Sequence, residues 1–265
     1  EALLPQSAIW PFIIGEYFDI PEIRNLSSAD CIVDHITPQC GIKHSIGFAY
    51  HEAGLDFQVD KCHQLIPPHM PFYSESHLLR EEVDLYLLEA AQGYGCDYVD
   101  ETKITDVEFS DAHVTLTTSS GTFKGAYFVD SSGRNSLVVE KRGYRKPEVP
   151  FETHSRTIFA HVEGLPPFDE LIEETPGQTK RLHDGTLHHV FDGGWMWVIP
   201  FDNFSRSTSK LASIGLMLDP RKHPERPGHT PEEEFHAIIR EFPAVHRHLK
   251  DIQPTRPFIR SGRLQ

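Results

Sequence analysis

The sequence predicts a mixed α/β protein with much antiparallel sheet, and three stretches carry that expectation. In 80-REEVDLYLLEAAQGYG-95, Val83, Tyr86, Leu87, Ala90 and Tyr94 recur at helical spacing, and Gly93 and Gly95 supply a stop. Between 97 and 130, strand-like segments are separated by Asp111 and by Ser119-Ser120-Gly121, the pattern of an antiparallel meander. In 193-GGWMWVIPF-201, alternation sends Trp195 and Trp197 to one side of a strand and Met196 and Val198 to the other.

The elements follow in order. Up to about Met70, short apolar runs are mixed with Pro and His and show no dominant period. After the helix that opens at Arg80, the meander is expected in 97-DYVDETKITDVEF-109, 113-HVTLTT-118 and 123-FKGAYFVD-130, with its last strand closing in 130-DSSGR-134. A second region opens near 150, which divides the chain into 1–148 and 149–265. It begins with the strand 157-TIFAHVEG-164 and a polar loop, 168–186. Strands are expected around 187–200 and in 211-LASIGLML-218, followed by the proline-rich loop 220-PRKHPERPGHTP-231. Thr230 then caps a helix. Pro231 takes its first position and Glu233 its third, which makes a capping box. Phe235, Ile238, Ile239 and Phe242 give that helix a buried stripe, and Pro243 disturbs its end.

Composition narrows the function classes. A chain of 265 residues with 38% hydrophobic and 24% charged residues is long enough to bury a real core. The net charge of −14 argues against a nucleic-acid partner, since neutralising phosphates takes clustered Lys and Arg. No apolar run approaches the roughly 18–20 residues of a membrane span, and EALLPQSAIW has no basic leader region. The four cysteines show no CxxC spacing, so reduced thiols and a cytoplasmic location are the expectation. Seventeen histidines suggest metal binding at first sight. They are scattered, however, and His188-His189 and His246 with His248 lack a carboxylate at ligand spacing, so no metal site is assigned.

The tryptophan pair admits two readings. With three tryptophans in the whole chain, two on one side of one strand are either plain core or the wall of a pocket for a flat apolar ligand. Periodicity alone does not decide between them.

Four stretches, in this order, resemble the FAD-dependent monooxygenases of the hydroxybenzoate-hydroxylase type and, among them, the flavin-dependent halogenases. The start, 1-EALLP-5, is similar to the tail of the family's Gly-Glu-Ser-x-x-Pro segment, which lies near the flavin ring. Arg80 and Asp84 resemble its Arg-x-x-x-Asp helix start, and Asp130-Ser131-Ser132-Gly133 its Asp-Ala-Ser-Gly. Trp195-Met196-Trp197-Val198-Ile199-Pro200 matches the halogenase Trp-x-Trp-x-Ile-Pro at every fixed position. Taken singly, an i, i+4 charge pair and an Asp-Gly strand end also occur as plain surface features.

The resemblance implies a hydroxybenzoate-hydroxylase-like FAD-binding fold, with residues 1–148 as the remainder of the FAD-binding domain with interleaved substrate-side strands. Residues 149–265 would form the substrate-binding sheet and a helical region. The dinucleotide fingerprint G-x-G-x-x-G and the later Gly-Asp-Ala segment of the family are absent from this sequence, so an internal part of a longer protein is expected.

The implied activity is halogenation of an electron-rich aromatic substrate, free or carrier-bound, through a flavin hydroperoxide and hypohalous acid. FAD would be reduced by a separate flavin reductase, and a halide ion would be consumed. Arg80, Asp130 and Gly133 would face the cofactor. Trp195, Trp197, Ile199 and Pro200 would line the way to the substrate. The relay lysine is matched by Lys43 in 41-GIKHSIGFAYH-51, five residues before Phe48 as in the Lys-x-Gly-Ala-x-Phe pattern, although Ser45 and Ile46 replace the Gly and Ala. Such a relay needs an amine that is neutral part of the time, which a partly buried lysine provides and arginine does not. The tryptophan-directed halogenases would instead align their lysine with Gly47. Two alternatives stand beside this reading: an aromatic monooxygenase or oxidoreductase that uses no halide, and a non-catalytic substrate-binding fragment.

Overall fold

The computed structural model describes residues 1–67, 74–133, 136–145 and 152–262. They gather into two compact units, Glu1–Ala91 with His154–Gly262, and Gln92–Thr153. Arg134 and the last three residues, 263–265, which the sequence reading touched, lie outside the described residues.

The first unit opens with α1 (Pro5–Phe18), α2 (Pro21–Arg24) and α3 (Ala29–His35). Four strands follow, β1 (Cys40–Ile42), β2 (Ile46–Tyr50), β3 (Cys62–Leu65) and β4 (Ser76–Leu78), and then α4 (Arg80–Gly93), the helix expected from its apolar spacing. β1 pairs antiparallel with β4, and the first residues flank β4 on its other side: Leu3 N donates to Ser76 O and Leu78 N to Glu1 O. α1 was not expected from the sequence. It carries Pro11 internally and exposes Trp10, Tyr17 and Phe18, so its apolar residues form no single stripe that a periodicity argument could find.

In the second unit, β5 (Ile104–Phe109), β6 (Val114–Thr118) and β7 (Gly121–Gly125) form the expected antiparallel meander. The third strand is shorter than the sequence reading has it and is shifted toward the N-terminus. β6 is fully paired once Val114 meets Gly125. The run Tyr127–Val129 has no strand partner among the described residues, and Tyr127 and Val129 are exposed. The short α5 (Leu137–Lys141) follows, N-capped by the Ser136 side chain, which accepts from Val139 N.

Returning to the first unit, β8 (Arg156–Glu163), β9 (Thr186–Phe191), β10 (Gly194–Pro200) and β11 (Leu211–Leu218) make the centre of an eight-stranded sheet. Beyond them lie α6 (Pro231–Ile239), α7 (Pro243–Leu249) and the edge strands β12 (Gln253–Pro254) and β13 (Ile259–Ser261), both on β8. The sheet order is β12-β8-β11-β10-β9-β2-β3, so β2 enters parallel to β9 from the other end of the sequence. β9 and β10 are joined by Asp192-Gly193 alone. Gly193 has φ +76°, a left-handed conformation that glycine adopts at no steric cost.

Strand alternation divides this sheet into two faces. Ile158, Leu187, Met196, Val198, Ile214 and Leu216, all buried, point one way and pack with Phe235, Ile238 and Ile239 of α6 and Val245 and Leu249 of α7. Each fully buried Leu, Ile or Phe contributes roughly 1.5–3 kcal/mol, so this face anchors the unit. The capping box at Thr230 and Glu233 is present as the sequence predicts. Pro243 does more than disturb the end of α6. Its fixed φ opens α7 at the first helical turn. The polar loop 168–186 is likewise partly interior, with Phe168 and Leu182 buried in this same core.

One polar chain crosses the core side. His248 Nε2 donates to Pro166 O (2.9 Å), which leaves its Nδ1 to accept from His189 Nε2 (3.0 Å) and leaves His189 Nδ1 to accept from His51 Nε2 (2.9 Å). All three rings are buried. Burial pushes His51 and His248 down to about 4 and holds His189 well below the ordinary imidazole value. The chain is therefore neutral near pH 7, and it stitches the β2–β9 seam to α7.

Candidate functional site

The opposite face of the sheet is aromatic and half-buried. Phe48 on β2, His188 on β9, Trp195 and Trp197 on β10, and Phe159 on β8 stand on the same side of successive strands. Their rings form a continuous row: Phe48 to His188 is 5.0 Å, His188 to Trp195 5.2 Å, Trp195 to Trp197 6.0 Å and Trp197 to Phe159 6.2 Å. Across β11 the row passes over Gly215. An added Cβ there would stand 2.6 Å from Cε2 of Trp197, so the indole lies flat on a position that only hydrogen leaves open. Trp197 Nε1 donates to Ser213 Oγ (3.1 Å), which fixes the ring. Met196 and Val198 belong to the core of this sheet, and the half-buried indoles stand on the other face.

Ile199 and Pro200 are placed differently. Ile199 is buried in a small cluster with Leu79 and Phe201, against which Trp197 and Ala2 pack. Pro200 is buried and its carbonyl accepts from His77 Nδ1 (2.6 Å). Nε2 of His77 accepts from the Thr186 hydroxyl (3.0 Å), so this fully buried ring, held at about 3 chiefly by burial, is a neutral rivet between β4 and the indole strand. Asn203 fastens β1 in the same region, accepting from Ile42 N and donating to Ile42 O, both at 2.9 Å.

Lys43 follows β1 and is buried, 4% exposed. Its Nζ donates to Glu75 Oε2 and to Leu3 O, each at 2.5 Å. Burial raises the Glu75 carboxyl above the ordinary carboxylate range, against the lowering pull of Lys43. Among the described residues Glu75 Oε1 has no hydrogen-bond partner, and neither has Ser45 Oγ. The charge of Lys43 reaches the aromatic face, where it lowers the pKa of His188 further below the value that burial gives it. Through Leu3, the ammonium is also tied to 1-EALLP-5, the segment that resembles the flavin-side motif. The competing position, Gly47, points into the core. A Cβ there would lie 2.8 Å from Leu182 Cδ2, so no lysine at 47 reaches the aromatic face.

The residues matched to cofactor contacts are exposed. Arg80 makes a bidentate pair with Asp84 at 2.7 and 2.9 Å, each side chain more than half exposed, and so can exchange that carboxylate for a nucleotide group. In the second unit Asp130 accepts from Ser132 N (3.0 Å) and from the hydroxyls of Ser132 and Ser136 (2.5 Å each), which holds it at about 2. Gly133 closes this turn with φ +64°. For FAD the fit is partial. These groups suit outer contacts to a nucleotide, but no glycine-rich turn runs from a strand directly into a helix among the described residues to cradle a pyrophosphate. Among the described residues no cluster of three or more His, Cys, Asp or Glu is arranged for a metal ion. No helix among them is long and apolar enough to cross a membrane.

No protein-family model matches the chain. It is, however, 36% identical over its whole length to the monodechloroaminopyrrolnitrin halogenase PrnC of Pseudomonas fluorescens, covering 47% of that protein. It is 34% identical, again over its whole length, to the tetracycline 7-halogenase of Kitasatospora aureofaciens, covering 48% of it. Among solved structures, the halogenase PltM in complex with phloroglucinol and FAD superposes with a TM-score of 0.90 at 31% identity, over 99% of this chain and 52% of that one.

Along its whole length, then, the chain is similar to halogenases, one of them solved with FAD bound.

It spans about half the length of the curated relatives it matches. The sequence reading named Lys43 and the indoles as candidates and did not name Glu75, Phe48, Phe159 and His188, which the structure places beside them. Of these, His188 was reachable. The alternation that separates Trp195 from Met196 also sends His188 and His189 to opposite faces, so they never were a pair. Glu75 had no local signal, because its pairing with Lys43 spans 32 positions.

Proposed function

We propose that the complete polypeptide halogenates an electron-rich aromatic ring, with this chain supplying the substrate face and the lysine. The observation that carries the reading is the half-buried row of rings beside a buried, carboxylate-paired lysine, in a chain similar along its whole length to halogenases. FAD, when bound and reduced by a separate reductase, would activate molecular oxygen, and oxygen would be the oxidant that makes a halide ion electrophilic. The residues that resemble the family's cofactor contacts are exposed in each unit taken by itself, Arg80 in the first and Asp130 with Gly133 in the second. Trp195 and Trp197 are walls: they stack a flat substrate and keep water from the oxidant's path. Ile199 and Pro200 brace those walls from the buried end of β10.

Lys43 relays the oxidised halogen to the ring. Glu75 holds that amine in place: its Oε2 accepts from Lys43 Nζ inside the same buried pocket of the first unit.

The test uses the full-length protein with FAD, a flavin reductase, NADH, and chloride or bromide. Mass spectrometry should show halide-dependent incorporation into an aromatic acceptor. Lys43→Ala should abolish incorporation while FAD binding and NADH-driven peroxide release persist. Product halogenation surviving in Lys43→Ala removes the lysine from the mechanism, and oxygenated product formed regardless of halide replaces the halogenase reading with a monooxygenase.

A further inference from the structure

We propose that His188 recognises a hydroxyl or N–H group on the aromatic substrate, accepting its hydrogen bond at Nε2 and so selecting rings that carry one. This deepens the halogenase reading and rests on it for where the substrate lies.

The tautomer follows from geometry. His188 Nδ1 is 3.1 Å from Gly47 O, and a carbonyl only accepts, so Nδ1 carries the hydrogen. Burial first, and the nearby Lys43 charge as well, oppose protonation, while the Gly47 carbonyl favours it; the net effect is a lowered pKa. The ring is therefore neutral near pH 7, and its lone pair sits on Nε2, for which no hydrogen-bond partner exists among the described residues. Nor can the imidazole swing away. It stacks on Phe48 at 16° between planes and is flanked by Trp195 at 51°.

The other rings of the row offer no such group. Phe48 and Phe159 have no heteroatom, an indole N–H only donates, and that of Trp197 is already committed to Ser213. A flat molecule laid along the row thus meets apolar ring faces and a fixed acceptor, His188 Nε2. A phenol or an aniline-type N–H satisfies that acceptor; an ether or a bare ring leaves it unpaired against an apolar surface. The same hydrogen bond draws the O–H or N–H proton outward. That raises electron density on the ring, which an electrophilic halogen source requires.

The experiment compares resorcinol with 1,3-dimethoxybenzene in the full-length protein. Binding of each is measured by equilibrium dialysis, and halogenation by competition between the two, normalised to their relative reactivity toward free hypochlorous acid. The wild type should bind resorcinol about tenfold more tightly than the diether, the scale of one neutral hydrogen bond, and halogenate it with a preference beyond that of the free oxidant. His188→Phe should lose the preference in both readouts while binding the diether as before. His188→Gln, whose amide oxygen also accepts, should regain part of it.

A His188→Phe protein that keeps the resorcinol preference overturns the assignment. So does a loss of affinity equal for the two probes, which would mark a packing role. If neither probe is halogenated by the wild type, the halogenase reading fails, yet the dialysis comparison still decides whether His188 accepts a hydrogen bond from the bound ring.

Discussion

Gly215→Ala tests whether the indole wall is built as described. The new methyl would lie 2.6 Å from Cε2 of Trp197 and closer still to Cζ2 and Cη2, so the ring must leave its bed on β11. Forced repacking of this kind costs about 1–3 kcal/mol. Once tilted, the indole loses its 3.1 Å bond to Ser213, a further ~0.5–1.5 kcal/mol. Against this, alanine is about 0.5–1 kcal/mol better than glycine within a strand. The net destabilisation is about 0.5–4 kcal/mol, centred on ~2 kcal/mol, which corresponds to roughly 4–8 °C in Tm. Thermal unfolding of the full-length protein followed by tryptophan fluorescence reads both effects, because Trp195 and Trp197 are two of the three tryptophans in this chain. A Tm within roughly 1 °C of wild type and an unmoved emission maximum would refute the flat packing of Trp197 on Gly215.

Two further outcomes follow from burial and charge. Lys43→Met leaves Glu75 buried without its cation, at a cost on the order of 3–5 kcal/mol if the carboxylate stays ionised. Because burial already raises the folded pKa of Glu75, the variant binds its proton more tightly folded than unfolded. Its stability is thus greatest below about pH 4.5 and falls as pH rises through the folded value, so the deficit measured by urea midpoint should widen from pH 5 to pH 8; an equal deficit at both contradicts it. The His51–His189–His248 chain has the opposite sign. Its folded pKa values lie well below the ordinary 6.5, so the unfolded state takes up protons first and stability declines as pH falls from about 6.5 toward 4. The decline should be shallower in His51→Phe, and identical slopes in the two proteins would refute the neutral chain.

What could be read from the sequence was what a single element encodes. The faces of β10 follow from period-two alternation, and the start of α6 from Thr230, Pro231 and Glu233, because those interactions close within one strand or one turn. α1 escaped notice because its apolar residues surround it, and α7 because Pro243 is equally a stop for one helix and a start for the next. The site itself is a product of pairing across the chain. That Phe48 belongs to the same row as Trp195 depends on β2 lying parallel to β9, and no local pattern near residue 46 states that register. Lys43 was named as a candidate by resemblance; its partner Glu75, set by the β1–β4 pairing, was not.

The parallel β2–β9 seam also bears on how the protein is made. His188 and Gly47, joined across that seam, are 141 positions apart. At synthesis rates of about 5–20 residues per second, the ribosome needs on the order of 10–30 s to deliver the second half of the pair after the first. During that interval β2 and β3 are a nascent hairpin with an open edge and Phe48 uncovered, the kind of surface that chaperones hold and aggregates recruit. Codon usage or chaperone supply acting in that window should therefore govern the yield of folded protein more than substitutions in the central β8–β11 strands, which can pair as soon as they emerge.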